Sequence, residues 1–291
     1  MDSNKYSDVE MATPKSDNAP QWASLALQTL ELHTDGQWLT IWLNRPKVRN
    51  ALSAQMATEL QQVFRQLATD KCIRGVTLRG RGGVFCAGGD LKGFAQLSEA
   101  GAQAPALARQ MSVDAGGLFA AFRQLPQLTV ALVEGAAMAG GFGLACAADL
   151  LLSTNSAKYS LSEVRIGQTP AQIAPYVIER VGRAQARKLM LLATSFDGEQ
   201  AQQLGLADYV VSADAAAIEQ CELQIRSQLL HCSPNAVAAT KRVIAQVGQL
   251  DPSAMIQYAA DEFSACLLSA QGQEGFRAFF EKRAPHWRSE V

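Results

Sequence analysis

Two stretches of this 291-residue chain combine glycine with small apolar residues: Gly82-Gly83-Val84-Phe85-Cys86-Ala87-Gly88-Gly89-Asp90 and Gly135-Ala136-Ala137-Met138-Ala139-Gly140-Gly141-Phe142-Gly143. Glycine lets a backbone come close to a ligand, so that amide N–H groups rather than side chains meet it. Two such amides from separate loops can hold an oxyanion of the kind that develops on a polarised carbonyl. A nucleotide-phosphate role fails on spacing. Neither stretch ends in the Gly-Lys-Ser/Thr of a P-loop, and G-x-G-x-x-G breaks at Phe85 when read from Gly80 and at Cys146 when read from Gly141. Tight turns and close helix packing are the plainer use of such glycines. His33, His231 and His286 stand at a strand margin, a helix end and near the C-terminus, so no Ser-His-Asp set forms.

The elements that must position these stretches are readable from periodicity. Leu39, Ile41 and Leu43 alternate with Thr40 and Trp42 after an Asp35-Gly36 turn, and Ile73 to Leu78 reads as a second strand. Between them Ser53 caps a helix with Met56, Leu60, Val63, Phe64 and Leu67 on one face, which gives a β-α-β order with parallel pairing. Leu128 to Val133 and Leu150 to Leu152 read as further buried strands. Both glycine stretches thus follow strands and lead into helices, where free N–H groups and the helix dipole favour negative charge. Beyond about Arg183 the pattern is helical, over Ala184 to Ala193, Gly198 to Leu204, Asp214 to Leu230, Ser233 to Val247 and Ala254 to Leu268, with one strand-like interruption at Tyr209 to Val211.

Composition bounds the class. The 26 basic and 27 acidic residues nearly cancel, so no global field draws the chain to nucleic acid or to an anionic membrane. Residues 1–20 carry almost no apolar side chains and read as a disordered N-terminal tail. An α/β body over residues 21–210 and a helical part over residues 211–291 follow. Cys72, Cys86, Cys146, Cys221, Cys232 and Cys266 show no zinc-like spacing and read as buried thiols in a reducing compartment, with no metal site. With no membrane span and no secretory signal, a cytoplasmic location is expected.

Four stretches, read together, carry a resemblance. Asn44-Arg45-Pro46-Lys47-Val48-Arg49-Asn50-Ala51-Leu52, Phe85-Cys86-Ala87-Gly88-Gly89-Asp90-Leu91, Ala137-Met138-Ala139-Gly140-Gly141 and Phe280-Glu281-Lys282-Arg283 resemble, in order and spacing, the crotonase (enoyl-CoA hydratase/isomerase) superfamily over about Leu25 to Trp287. The resemblance implies an α/β crotonase (ClpP-like) fold, a spiral of β-β-α units with a helical C-terminal trimerisation region. It implies that the amides of Gly89 and Gly140 form an oxyanion hole for a thioester carbonyl. Lys47, Arg49, Ala51 and Ala87 fall where the family contacts coenzyme A. Phe280 and Lys282 match residues that reach coenzyme A there, often that of an adjacent subunit in a homotrimer or homohexamer. No cofactor is implied beyond the coenzyme A carried by the substrate.

Family hydratases commonly hold one water between two glutamates. Ser162-Glu163-Val164-Arg165-Ile166-Gly167 resembles the second of these sites, so Glu163 is the acid/base candidate, whereas the first position is Gly143. Single-glutamate relatives include Δ3,Δ2-enoyl-CoA isomerases and hydratases of branched glutaconyl thioesters. Residues 167–177 and Gly140-Gly141-Phe142-Gly143 look most like the isohexenylglutaconyl-CoA and methylglutaconyl-CoA hydratase branch of terpene and leucine breakdown. The expected reaction is addition of water across the 2,3 double bond, with Gln168, Gln172 or the substrate's own second carboxylate standing in for the missing glutamate. The alternatives are an isomerase and a non-catalytic acyl-CoA or RNA-binding scaffold.

Overall fold

The computed structural model describes residues 25–90 and 99–288; the tail expected at residues 1–20 lies outside them. Its centre is a six-stranded sheet in the order β1 (Leu30–Asp35), β2 (Trp38–Leu43), β3 (Gly75–Gly80), β4 (Leu128–Val133), β6 (Leu150–Thr154), β9 (Tyr209–Val211). The Asp35-Gly36 turn folds β1 back antiparallel onto β2. From β2 onward, β3, β4, β6 and β9 all pair in parallel. The second strand starts at Gly75 rather than at Ile73. A smaller sheet joins β5 (Ala136–Met138), β7 (Lys158–Ser160) and β8 (Phe196–Asp197), with β7 in the middle.

Helix α1 (Ala54–Leu67) begins where Ser53 Oγ accepts from the N–H of Met56 at 3.2 Å, and it buries Met56, Leu60, Val63, Phe64 and Leu67. These pack with α2 (Ala104–Arg123), α3 (Gly140–Ala147) and α4 (Ala174–Leu192) in the larger core. The opposite sheet face is covered as well: Trp38, Val130, Leu132 and Leu152 meet Ile218, Cys221, Ile225 and Leu229 of α6 (Ala215–Leu230). Parallel strands buried on both faces explain why β4 and β6 read as continuous apolar runs.

The helix expected from Ala184 is the second half of α4, after a break at Gly182; a first half outside that expectation precedes it from Ala174. Pro175 sits in its first turn, where a missing N–H costs nothing, and Gly182 interrupts it at φ 72°, so the two halves show no single periodic stripe. After the short α5 (Gly198–Gln203), the chain closes with α6, α7 (Pro234–Gln246), α8 (Pro252–Leu268) and α9 (Ala270–Phe280).

Buried Arg74 ties this helical end to the sheet. Its guanidinium donates to the carbonyls of Trp287 at 2.9 Å and Leu229 at 3.0 Å, and also to that of Cys232. Not one residue of α8 is buried, and Ile256, Phe263 and Leu268 on it, with Phe276, Phe279 and Phe280 on α9, are exposed. The six cysteines are free, but they are not uniformly interior: Cys86, Cys146 and Cys221 are buried, Cys266 is half-buried, and Cys72 and Cys232 are exposed. Cys72 lies in the surface loop after α1 and Cys232 just past the end of α6, places where a small thiol is not drawn inward.

Candidate active site

The two glycine stretches lie side by side, stitched by backbone hydrogen bonds. Cys86 donates to the carbonyl of Ala136 at 3.0 Å and accepts from Met138 at 2.9 Å, which makes a one-residue parallel bridge between Cys86 and Ala137. A second bridge joins Gly89 to Leu52: the Leu52 N–H donates to Gly88 at 2.8 Å and the Asp90 N–H to Leu52 at 3.0 Å. In that pattern the N–H of Gly89 faces away from Leu52 and has no backbone partner among the described residues.

Ala139 turns the chain from β5 into α3 at φ 47° and ψ −123°, a conformation that disfavours any side chain and is sustained by its surroundings. Its own N–H donates to Ser160 at 2.9 Å. Gly140 is then the first helical residue, so its N–H is one of those no helical carbonyl can serve. A Cβ on Gly140 would stand 3.8 Å from the Gly89 nitrogen, and one on Gly88 3.6 Å from the Gly140 nitrogen. The fold therefore brings the predicted pair of amides together, both free, at the positive end of a helix.

Glu163 reaches this neighbourhood through β7. Ser160 pairs with Met138, and three residues later Glu163 opens a tight turn, Glu163–Ile166, that Gly167 closes at φ 75°. Its Oε2 is buried with no hydrogen-bond partner, and burial raises its pKa above that of an ordinary glutamate. A desolvated carboxyl without a cation beside it is poised to exchange protons. By contrast the Cys86 thiol, beside the glycines, is pushed up to about 12 by burial and is inert at neutral pH.

The position of the absent glutamate is physically filled. A Cβ on Gly143 would fall 2.0 Å from Cγ2 of Ile173. Ile173 precedes α4 and is 3% exposed. Of the two glutamines, Gln172 donates its amide to Ser112 Oγ on α2 at 3.0 Å, and Gln168 is exposed. Gln172 is therefore committed to holding the loop onto α2.

Lys47 and Arg49 are exposed on the turn Pro46–Val48, and Ala51 beside them is half-buried. Wholly buried Asn50 fixes that turn, donating to the carbonyls of Arg81 at 2.9 Å and Val84 at 2.6 Å and accepting from the N–H of Arg45 at 2.8 Å. The Arg49 carbonyl accepts from the Ala87 N–H at 3.0 Å, so two cations stand beside the strand that ends in Gly88 and Gly89. The Arg45 guanidinium donates to the Ala51 carbonyl at 2.6 Å and to the Asp90 carboxylate at 3.0 Å, holding together the two segments that meet at the Leu52–Gly89 bridge. Asn50, Arg45, Ala139 and Ile173 are site residues that spacing alone did not single out, although all four lie inside the quoted stretches. Phe280 and Lys282, at the end of α9, are not brought to the amide pair by any contact within the described chain; Phe280 is 76% exposed and stacks edge-on with Phe279.

A sequence model of the family described as enoyl-CoA hydratase/isomerase matches residues 35–290. The chain belongs to that family. Among its curated relatives, carnitinyl-CoA dehydratase of Proteus mirabilis is 31% identical over 274 residues, covering 90% of this chain and 98% of that protein. The 2,3-dehydroadipyl-CoA hydratase of Escherichia coli K12 is 29% identical over 251 residues, covering 86% and 94%. Among solved structures, Pseudomonas aeruginosa AtuE superposes with a TM-score of 0.86 at 42% identity, over 90% of this chain and 100% of that one. An enoyl-CoA hydratase/isomerase from Marinobacter aquaeolei gives 0.84 at 37%, over 90% and 99%. The fold is accordingly the crotonase fold, and the protein is an enzyme of the enoyl-CoA hydratase type. In this hydratase-family chain no helix of the described residues is long and apolar enough to cross a membrane.

Proposed function

We propose that this enzyme hydrates the 2,3 double bond of a 3-branched glutaconyl-CoA thioester, with isohexenylglutaconyl-CoA the first candidate and 3-methylglutaconyl-CoA the second. One observation carries the reading: Glu163, whose Oε2 is buried without a hydrogen-bond partner, stands three residues beyond Ser160, whose carbonyl holds the Ala139 N–H next to Gly140, while the amides of Gly89 and Gly140 lie close together and the other carboxylate's place is filled by Ile173. The thioester oxygen sits between the two amides, and their N–H groups lower the energy of the enolate more than that of the substrate. Ionised Glu163 takes a proton from water as the water oxygen bonds to C3. The π electrons of the double bond move onto the thioester oxygen. Collapse of the enolate takes that same proton from Glu163 to C2, leaving a 3-hydroxyacyl thioester and the enzyme unchanged.

The cations of Lys47 and Arg49, beside Ala51 and Ala87, suit the phosphates of the coenzyme A moiety. The exposed apolar faces of α8 and α9 support assembly into a homotrimer or a homohexamer, in which Phe280 and Lys282 reach the coenzyme A of a neighbouring subunit. A single carboxylate also suits an isomerase that moves a proton between C2 and C4. Turnover of crotonyl-, 3-methylglutaconyl-, isohexenylglutaconyl- and 3-enoyl-CoA, followed by mass, tests the assignment. A gain of one water on a branched glutaconyl thioester is expected. An unchanged mass with a shifted double bond, or binding without turnover, overturns it.

A further inference from the structure

We propose that Ile173 sets which acyl chains this enzyme accepts, by presenting hydrocarbon to the C3 substituent from the space that a side chain on residue 143 would otherwise fill. The inference rests on the reading of Gly140 as a donor to the thioester oxygen, and extends it to the substrate class.

Three carbons of Ile173 crowd the position of a Cβ on Gly143: Cγ2 at 2.0 Å, Cβ at 2.5 Å and Cδ1 at 3.5 Å. Residues 140 and 143 lie three apart on one helix and so share a face. Side chains on a helix lean toward its N-terminus, so whatever stands at the Cβ of residue 143 covers the turn that begins at Gly140. On that face the absent Cβ of Gly140 would look toward the Gly89 nitrogen at 3.8 Å and the Leu52 Cδ1 at 3.6 Å. With the thioester oxygen held between the amides of Gly89 and Gly140, the acyl carbons just beyond it pass this same face. Where a second carboxylate would offer charge and hydrogen bonds, they meet the branched alkyl of Ile173.

That wall is held in place. Ile173 is 3% exposed, and its carbonyl accepts the Val177 N–H at 3.1 Å in the first turn of α4. Its neighbour Gln172 is bonded to Ser112 at 3.0 Å and fits a notch that Gly116 leaves open, where a Cβ would lie 2.4 Å from Oε1. Two consecutive side chains thus seat on two glycines, one on α2 and one on α3. A rigid alkyl surface rewards an apolar branch and gains nothing from a hydrogen atom, and one methyl group in such a pocket is worth roughly tenfold or more in affinity.

The test is calorimetric titration with two saturated thioesters that neither hydrate nor isomerise, butyryl-CoA and 3-methylbutyryl-CoA. The wild-type protein is expected to bind the branched chain about tenfold more tightly. Ile173→Ala is expected to reduce that ratio to about twofold, and Ile173→Val to an intermediate value. Because no turnover is read, a failed hydration assay leaves this measurement intact. If Ile173→Ala does not fold, Ile173→Val carries the comparison. A wild-type protein without the preference, or folded variants that retain the full ratio, would overturn the proposal.

Discussion

Gly88 and Ala139 approach so closely that a Cβ on the glycine would lie 2.9 Å from that of the alanine and 3.0 Å from the Met138 carbonyl. Both residues hold positive φ, 95° and 47°, immediately before Gly89 and Gly140, the residues that carry the two amides. The pair of donors is therefore aimed by two strained turns in mutual contact. Gly88→Ala adds a methyl group where none fits and a φ that alanine resists. The strands should part by a few tenths of an ångström, enough to misdirect the Gly89 and Gly140 N–H groups. The expected outcome is a loss in kcat on the order of 10²- to 10³-fold, the scale of one lost oxyanion donor, in a protein that still binds butyryl-CoA. Steady-state kinetics beside calorimetric binding checks it; an unchanged kcat would show that the amides do not act on the transition state.

Burial raises the Glu163 pKa above the 4.5 of an ordinary glutamate, and Glu163 must be ionised to take a proton from water. The acid limb of kcat/KM should therefore fall above pH 4.5. Glu163→Gln should remove that limb together with roughly 10²- to 10⁴-fold of the rate. Stability moves the other way. A carboxyl whose folded pKa is raised is penalised by ionisation, so its drag is absent below the unfolded pKa and grows as pH rises through the folded one. Glu163→Gln should therefore be at least as heat-stable as wild type at pH 7. A variant less stable than wild type at pH 7 but equal to it at pH 4 would point to a structural carboxylate instead.

What the sequence made legible was local. Ser53, Asp214 and Ser233 each cap a helix through a side-chain oxygen three residues from the N–H it meets, and such spacings survive any tertiary context. The glycine pair and Glu163 were found through motifs, since glycine chemistry leaves its mark on the residues themselves. Contacts that cross the chain were not legible. The seat of Ile173 on Gly143 joins residues thirty positions apart, and the covering of Trp38 by α6 could not be read from an alternating strand. The first half of α4 was hidden because Gly182 splits its apolar stripe. The exposure of Cys72 and Cys232 depends on where loops leave the core, which residue type does not encode.

Those cysteines supply a direct check on the packing. Cys86 and Cys146 are wholly buried, and burial pushes both thiols up to about 12, so neither forms thiolate at neutral pH. Cys72 is exposed on a surface loop. Brief alkylation of the folded protein at pH 7.5, roughly one unit below a free thiol, followed by peptide mass analysis, should label Cys72 and leave Cys86 and Cys146 unmodified until denaturant is added. Early labelling of Cys86 would mean that the bridge between Cys86 and Ala137 opens readily, and the preorganisation of the two amides would fall with it.

The contact between Gly143 and Ile173 should appear as an energetic coupling. Gly143→Ala places a methyl group 2.5 Å from Cβ of Ile173, an atom too close to the backbone to swing aside, so the variant is expected to lose roughly 1–3 kcal/mol by overpacking. Ile173→Ala alone empties a buried site and is expected to cost about 2–5 kcal/mol. In the double variant the closest approach, 2.0 Å to Cγ2, is gone while that to the retained Cβ remains, so part of the overpacking is relieved. The two losses should then combine to less than their sum by about 1 kcal/mol or more, the signature of residues in direct contact. Urea denaturation of the four proteins at equal concentration measures the coupling. Strict additivity would separate the two residues, and would also remove the reason for reading Ile173 as the occupant of the missing carboxylate's place.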